Sequence, residues 1–253
     1  DWLHAAEPTT DMAHANLRHI RREYDRASKV PADLATALAR LTSRSQRVWA
    51  DARGRDAVAD FLPVLEEVVA LKRQEAQAVA GPDVSPYDAL IDDFESDLTA
   101  AELHNMFSTL RPGLVALRER ALSAAPGPTI KGTFDPDKQI ELAHDLAARF
   151  GYDSGRGRLD LSVHPVSSGS GDDVRITTRT SQDDPFNCIY STIHEVGHAC
   201  YEQGIDAQHR LTPLGSGVSM GVHESQSRIY ENQLGRSRAF CGWLFDQMNA
   251  RFG

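Results

Sequence analysis

The residues best suited to chemistry form one short run, His194-Glu195-Val196-Gly197-His198. Histidines at i and i+4 lie one turn apart on the same helix face, so both imidazoles can reach a single metal ion. The glutamate between them points in a neighbouring direction, where it can serve as a base instead of a ligand. A catalytic zinc takes three protein ligands and keeps a further position for water, so a third ligand is required. Glu224 is the leading candidate, in Gly221-Val222-His223-Glu224-Ser225-Gln226-Ser227-Arg228, on a second helix expected to run to Leu234. The residues after Gly204 are enough to reverse the chain and return that helix across the first. Glu202, Asp206, His209 and Glu231 are the rivals; Glu202 continues the first helix and is expected to turn away, and His209 falls in a loop.

The helix that must carry the paired histidines is well marked. Asp184 is its expected N-cap, Pro185 occupies the first helical position, and Gly204 closes it. Phe186, Ile189, Tyr190, Ile193, Cys200 and Tyr201 trace an apolar stripe beside the histidines, which buries one side and leaves the pair facing a cleft. Before it, residues 151–182 change rhythm. Leu159, Leu161 and Val163 alternate with polar residues, as do Val174, Ile176 and Thr178, which predicts a small antiparallel sheet with Ser167 to Asp172 as the hairpin loop. On strand spacing Arg175 and Thr177 share a side, where a strand edge would pair with an extended peptide or hold the cleft's shape.

Residues 1–150 are predicted to be helices separated by short breaks. A charged surface helix runs from Asp11 to Ser28 and ends at Val30-Pro31, and another ends at Gly81-Pro82. Ser85-Pro86-Tyr87 forms the next turn. Leu103, Met106, Phe107, Leu110, Leu114 and Leu117 form an apolar stripe expected to pack in a core, with Pro112 and Gly113 kinking or dividing the helix. Asp135-Pro136 opens a helix through Phe150. The fold class is therefore mainly α with a small sheet beside the histidine helix: a helical region (1–150), a sheet region (151–182) and metal-binding helices (183–253), all within one domain.

The chain has 253 residues, 41% of them hydrophobic, and a formal net charge of −9. That balance excludes disorder and offers nothing to a phosphate backbone, so nucleic acid is not an expected partner. No apolar run reaches the roughly 20 residues that cross a bilayer. The N-terminal Asp1-Trp2-Leu3-His4 has no basic-then-apolar leader pattern, which points to a cytoplasmic protein. Cys188, Cys200 and Cys241 lack metal-site spacing and are expected to be reduced, mostly buried thiols.

HEVGHACYEQG followed by GVHESQSRIYENQLGRS resembles the thermostable carboxypeptidase Taq family of zinc metallocarboxypeptidases. His164-Pro165-Val166 is similar to that family's HPF motif, with Val in place of Phe, and Asp173-Val174-Arg175-Ile176-Thr177 matches its DxRxT motif. The resemblance extends upstream to Ser85-Pro86-Tyr87-Asp88-Ala89-Leu90 and so covers essentially the whole chain. It implies a zincin-like helical fold with a deep groove, release of single C-terminal amino acids from peptides, and one zinc ion, with cobalt as an acceptable substitute. It also implies metal ligation by His194, His198 and Glu224, base catalysis by Glu195, and substrate or outer-sphere roles for His164, Asp173, Arg175, Thr177 and His223. Family members are about twice as long, and two later motifs, an IRxxAD type and a GxxQDxHW type, are absent. The expectation is a chain truncated at both ends, with low activity of its own, and with apolar helix faces left exposed or covered by a second copy in a homodimer. A non-catalytic metal-binding fragment and a zinc endopeptidase are the alternatives.

Overall fold

The computed structural model describes residues 2–127 and 129–253, so Asp1 of the N-terminal tetrapeptide and Pro128 lie outside it. Contacts divide the chain into two compact units, with the boundary at Ala125 and Pro126. The first is wholly helical: α1 (Trp2–Ala5), α2 (Asp11–Lys29), α3 (Ala32–Gly54), α4 (Val58–Ala80), α5 (Pro86–Ile91) and α6 (Ala100–Ser123). Thr10 caps α2 through its hydroxyl, and α2 stops before Pro31 as expected. The basic face of α2 then secures its neighbours. Arg26 donates to Ala89 O at 2.8 Å and Lys29 to Val79 O at 3.2 Å, so two cations sit on carbonyls near the ends of α4 and α5, where the helix dipole favours them.

Helix α6 begins in a complete capping box made by Thr99 and Glu102 and continues unbroken through Pro112 and Gly113. Its stripe does not form a core. Met106, Phe107, Leu110, Leu114 and Leu117 are each more than half exposed. Periodicity identified an apolar helix face correctly but could not say whether anything lies against it.

The second unit consists of α7 (Pro136–Arg149), β1 (Leu159–Leu161), β2 (Ser167–Ser170), β3 (Asp173–Thr178), α8 (Pro185–Gly204), α9 (Met220–Arg228), a π-helical turn (Ile229–Leu234) and α10 (Arg238–Phe252). Asp135 and Asp184 cap α7 and α8 as predicted, each followed by proline at the first helical position. The sheet departs from expectation. Its order is β1-β3-β2, with β1 parallel to β3 and β2 antiparallel to it. The sheet is therefore mixed, and Ser167–Ser170, expected within a loop, is the hairpin partner of β3. This segment pairs through its backbone while carrying no apolar alternation, so periodicity could not reveal it.

Strand β3 alternates cleanly. Val174, Ile176 and Thr178 are buried, while Asp173 and Arg175 are exposed. The buried set packs with Ala143 and Ala147 of α7 and with Cys188, Val196 and Ala199 of α8. Beside them on α8, Ile189 and Ile193 join Leu142 and Leu146 of α7 and Leu244 of α10 in a second cluster. Helix α8 is thus held by two adjoining clusters along one broad face, and this fixes the direction of its remaining face. All three cysteines are free thiols, Cys188 buried, Cys200 partly buried and Cys241 exposed. Among the described residues no helix is long and apolar enough to cross a membrane.

Candidate metal centre

The face of α8 left open by its core packing carries His194 and His198. Helix α9 crosses it closely at Gly197, where an added Cβ would lie 2.7 Å from the Ser227 Cα and 2.9 Å from the Gln226 carbonyl oxygen. Only glycine fits there, because backbone atoms cannot move aside as a flexible side chain can. The close approach brings Glu224 over the histidines. Its Oε2 lies 3.5 Å from His194 Nε2 and 3.3 Å from His198 Nε2. Among the described residues, these three side chains form a group whose ligand atoms all lie within 4.8 Å of one another. Two imidazoles and a carboxylate are a donor set that suits zinc.

The ring nitrogens facing away are engaged as well. His194 Nδ1 lies 2.9 Å from Glu231 Oε2, and His198 Nδ1 lies 2.6 Å from His223 Nδ1. With both Nδ1 atoms occupied, both Nε2 atoms are turned toward the centre, as metal-binding histidines require. Glu231 comes from the π-helical turn after α9, and it is also paired with Arg228 and Arg236. The expected helix to Leu234 therefore changes register at Ile229, next to the site, where π-turns are often found.

Electrostatics separate the carboxylates. Burial, with the nearby Glu224, pushes the Glu195 carboxyl up to about 7, against opposing influences from His194 and the Ser167 backbone N–H. Burial, together with His223 and His194, takes His198 down to about 4, which keeps its imidazole neutral. Glu224 and Glu231 feel burial too. Hydrogen bonds to Ser227 and Arg228 for the first, to His194 and Arg236 for the second, hold both below the ordinary carboxylate range.

The remaining sequence candidates fall into two groups. His223 stands beside His198, and Glu202, expected to turn away, lies 2.8 Å from His223 Nε2. Glu202 follows His198 by four positions, so it continues the histidine face instead of leaving it. Asp206 caps the short turn Ala207–His209. Asp173, Arg175 and Thr177 lie on the sheet face opposite the residues buried against α8. Arg175 makes a two-pronged pair with Asp173 at 2.9 Å, and Thr177 Oγ1 accepts from the Val166 N–H at 2.9 Å. Because β3 is the central strand, its backbone is taken up by β1 and β2, and the edge expected beside Arg175 and Thr177 belongs to those neighbours. His164 is exposed in the β1–β2 connection, where its carbonyl accepts from the Ser162 hydroxyl at 2.6 Å.

A helix bearing HExxH, a carboxylate returned by a neighbouring helix and a small sheet packed behind them define a metallopeptidase scaffold. The chain belongs to the carboxypeptidase Taq (M32) metallopeptidase family, whose model matches residues 2–253. Thermostable carboxypeptidase 1 of Thermus thermophilus is 40% identical over 273 aligned residues, covering 100% of this chain and 53% of the relative. Carboxypeptidase 1 of Bacillus subtilis is 36% identical, covering 87% of this chain and 44% of the relative. Among solved structures, the M32 carboxypeptidase of Deinococcus radiodurans aligns with a TM-score of 0.83 at 36% identity, covering 98% of this chain and 52% of that one. The chain spans about half the length of the curated relatives it matches.

Gly197 offers a direct test of how the centre is assembled. Gly197→Ala is expected to cost about 1–3 kcal/mol of stability by overpacking, and to weaken metal binding because α9 carries Glu224. Thermal melting and metal titration of the same variant check both; a variant that binds metal as well as the unaltered protein would show that the close crossing is not needed.

Proposed function

We propose that His194, His198 and Glu224 hold one divalent ion, zinc in the native state with cobalt able to substitute, and that this site serves a metallocarboxypeptidase acting on peptides with a free C-terminal carboxylate. The observation that carries the reading is the convergence of two Nε2 atoms and one carboxylate oxygen beside a buried glutamate. The family and the carboxypeptidase names of the relatives support it.

A divalent ion at such a site supplies Lewis acidity, polarising the scissile carbonyl and acidifying the attacking water. The chain's own residues do the rest. Glu195 is 6% exposed, and its carboxylate takes the proton from that water and passes it to the leaving amine nitrogen. A base whose pKa lies near neutrality is well matched to both transfers. Glu231 keeps the His194 ring in orientation from behind. Three arginines are already engaged: Arg228 with Glu224 and Glu231, Arg236 with Glu231, and Arg175, on the far sheet face, with Asp173. Recognition of a substrate carboxylate therefore calls for a cation beyond these three.

The test is release of C-terminal residues from a short peptide, with a chelator and zinc restoration as controls, beside an internally quenched peptide blocked at both ends. Metal-dependent release from the first peptide alone is the expected outcome. Cleavage of the blocked peptide would favour an endopeptidase, and release that survives chelation would overturn the metal assignment.

A further inference from the structure

We propose that Glu202 is a positioning residue of the metal centre: acting through His223, it fixes the tautomer of His198 that leaves Nε2 free for the ion. The proposal rests on the metal-site reading above and adds a residue that reading does not use. Three contacts form one line. Glu202 Oε1 is 2.8 Å from His223 Nε2, His223 Nδ1 is 2.6 Å from His198 Nδ1, and His198 Nε2 faces Glu224.

The proton order along this line follows from the chemistry at its end. An ionised carboxylate only accepts, so His223 must carry its proton on Nε2. With one proton on each ring, His223 then offers a lone pair at Nδ1 and His198 donates its own proton there. That leaves His198 Nε2 unprotonated, which is the form a metal needs. The reverse order would set a bare His223 nitrogen against the carboxylate and place the His198 proton where the ion should bind. The carboxylate therefore selects one of two chains of hydrogen bonds that two imidazoles alone would leave nearly equivalent.

Two further observations support a role beyond packing. Glu202 is 7% exposed, and its Oε2 is buried with no hydrogen-bond partner among the described residues. A half-satisfied buried carboxylate is destabilising by itself, so its place behind the histidines is not explained by fold stability. The His223 ring is also closely confined. Tyr201 meets it edge-on at 5.2 Å between ring centres, and a Cβ at Gly217 would come within 2.6 Å of its Cδ2. Confinement keeps the ring plane fixed, so the proton order is the remaining freedom for Glu202 to settle.

The experiment is cobalt titration against a competing chelator, read by visible absorption, on the unaltered protein and on Glu202→Gln, His223→Phe, the double variant and Glu224→Ala. A glutamine can donate to His223 Nε2 and so permits the wrong order. Glu202→Gln is expected to weaken cobalt binding by about 10 to 100-fold, the scale for groups that orient a metal-bound histidine, and to alter the cobalt spectrum. In the His223→Phe background the same substitution should add nothing, since its route is gone. Melting of the metal-free proteins separates affinity from folding, and His223→Phe carries the test if Glu202→Gln does not fold. An affinity within about twofold of the unaltered protein for Glu202→Gln, or additive losses in the double variant, would overturn the proposal. Should the unaltered protein bind no cobalt, or Glu224→Ala bind it equally well, the metal-site reading fails instead.

Discussion

Glu195→Gln is expected to keep the metal and lose peptide hydrolysis, by roughly 10²–10⁴-fold in turnover, the range a positioned base contributes. The amide has almost the shape of the carboxylate and can still accept the Ser167 backbone N–H, so the packing between α8 and β2 should survive. It cannot take a proton from water and hand it on. Metal affinity should stay near its original value because Glu195 lies outside the three ligand side chains. Paired metal titration and peptide turnover, in a background where the unaltered protein is active, measure the two effects separately. Turnover above about a tenth of the unaltered rate would remove Glu195 from the proton path.

Glu224→Ala should have the opposite profile: folding largely intact and metal affinity lost by more than the roughly 100-fold expected of outer partners. Its side chain is 40% exposed, and the pair it forms with Arg228 is at the surface, so its loss costs only about 0–1 kcal/mol. What remains is a histidine pair on one helix with no anionic ligand to neutralise the ion. Elemental analysis after gel filtration, with melting as the folding control, decides this. Unchanged stoichiometry would show that another carboxylate completes the site, and Glu231, 2.9 Å from His194 on the opposite ring nitrogen, is one alternative.

Much of the candidate centre is legible in the sequence because its key spacing is local. An i, i+4 histidine pair shares a face in any α-helix, and the Asp184-Pro185 start marks α8 within a residue of its observed beginning. The buried positions of β3 were likewise visible in the alternation of Val174, Ile176 and Thr178. Strand pairing was not. Alternation identifies a strand and its inner face but says nothing about which strand lies beside it or in which direction, so the parallel partnership of β1 with β3 and the pairing of polar Ser167–Ser170 with β3 stayed hidden.

Chemistry at close quarters divides in the same way. Residue types and local periodicity determined the helix, the shared face of its two imidazoles and the place of the glutamate between them, because each depends on backbone geometry within a few turns. Tertiary structure alone decided that Gly197 admits α9 near enough for Glu224 to arrive, that Glu231 backs His194, and that Glu202 ends a line through His223 to His198. It also placed Asp173, Arg175 and Thr177 on the far face of the sheet and left the α6 stripe exposed. These outcomes depend on how helices and strands distant in sequence approach one another, and a difference of one to two ångströms there separates a ligand from a bystander.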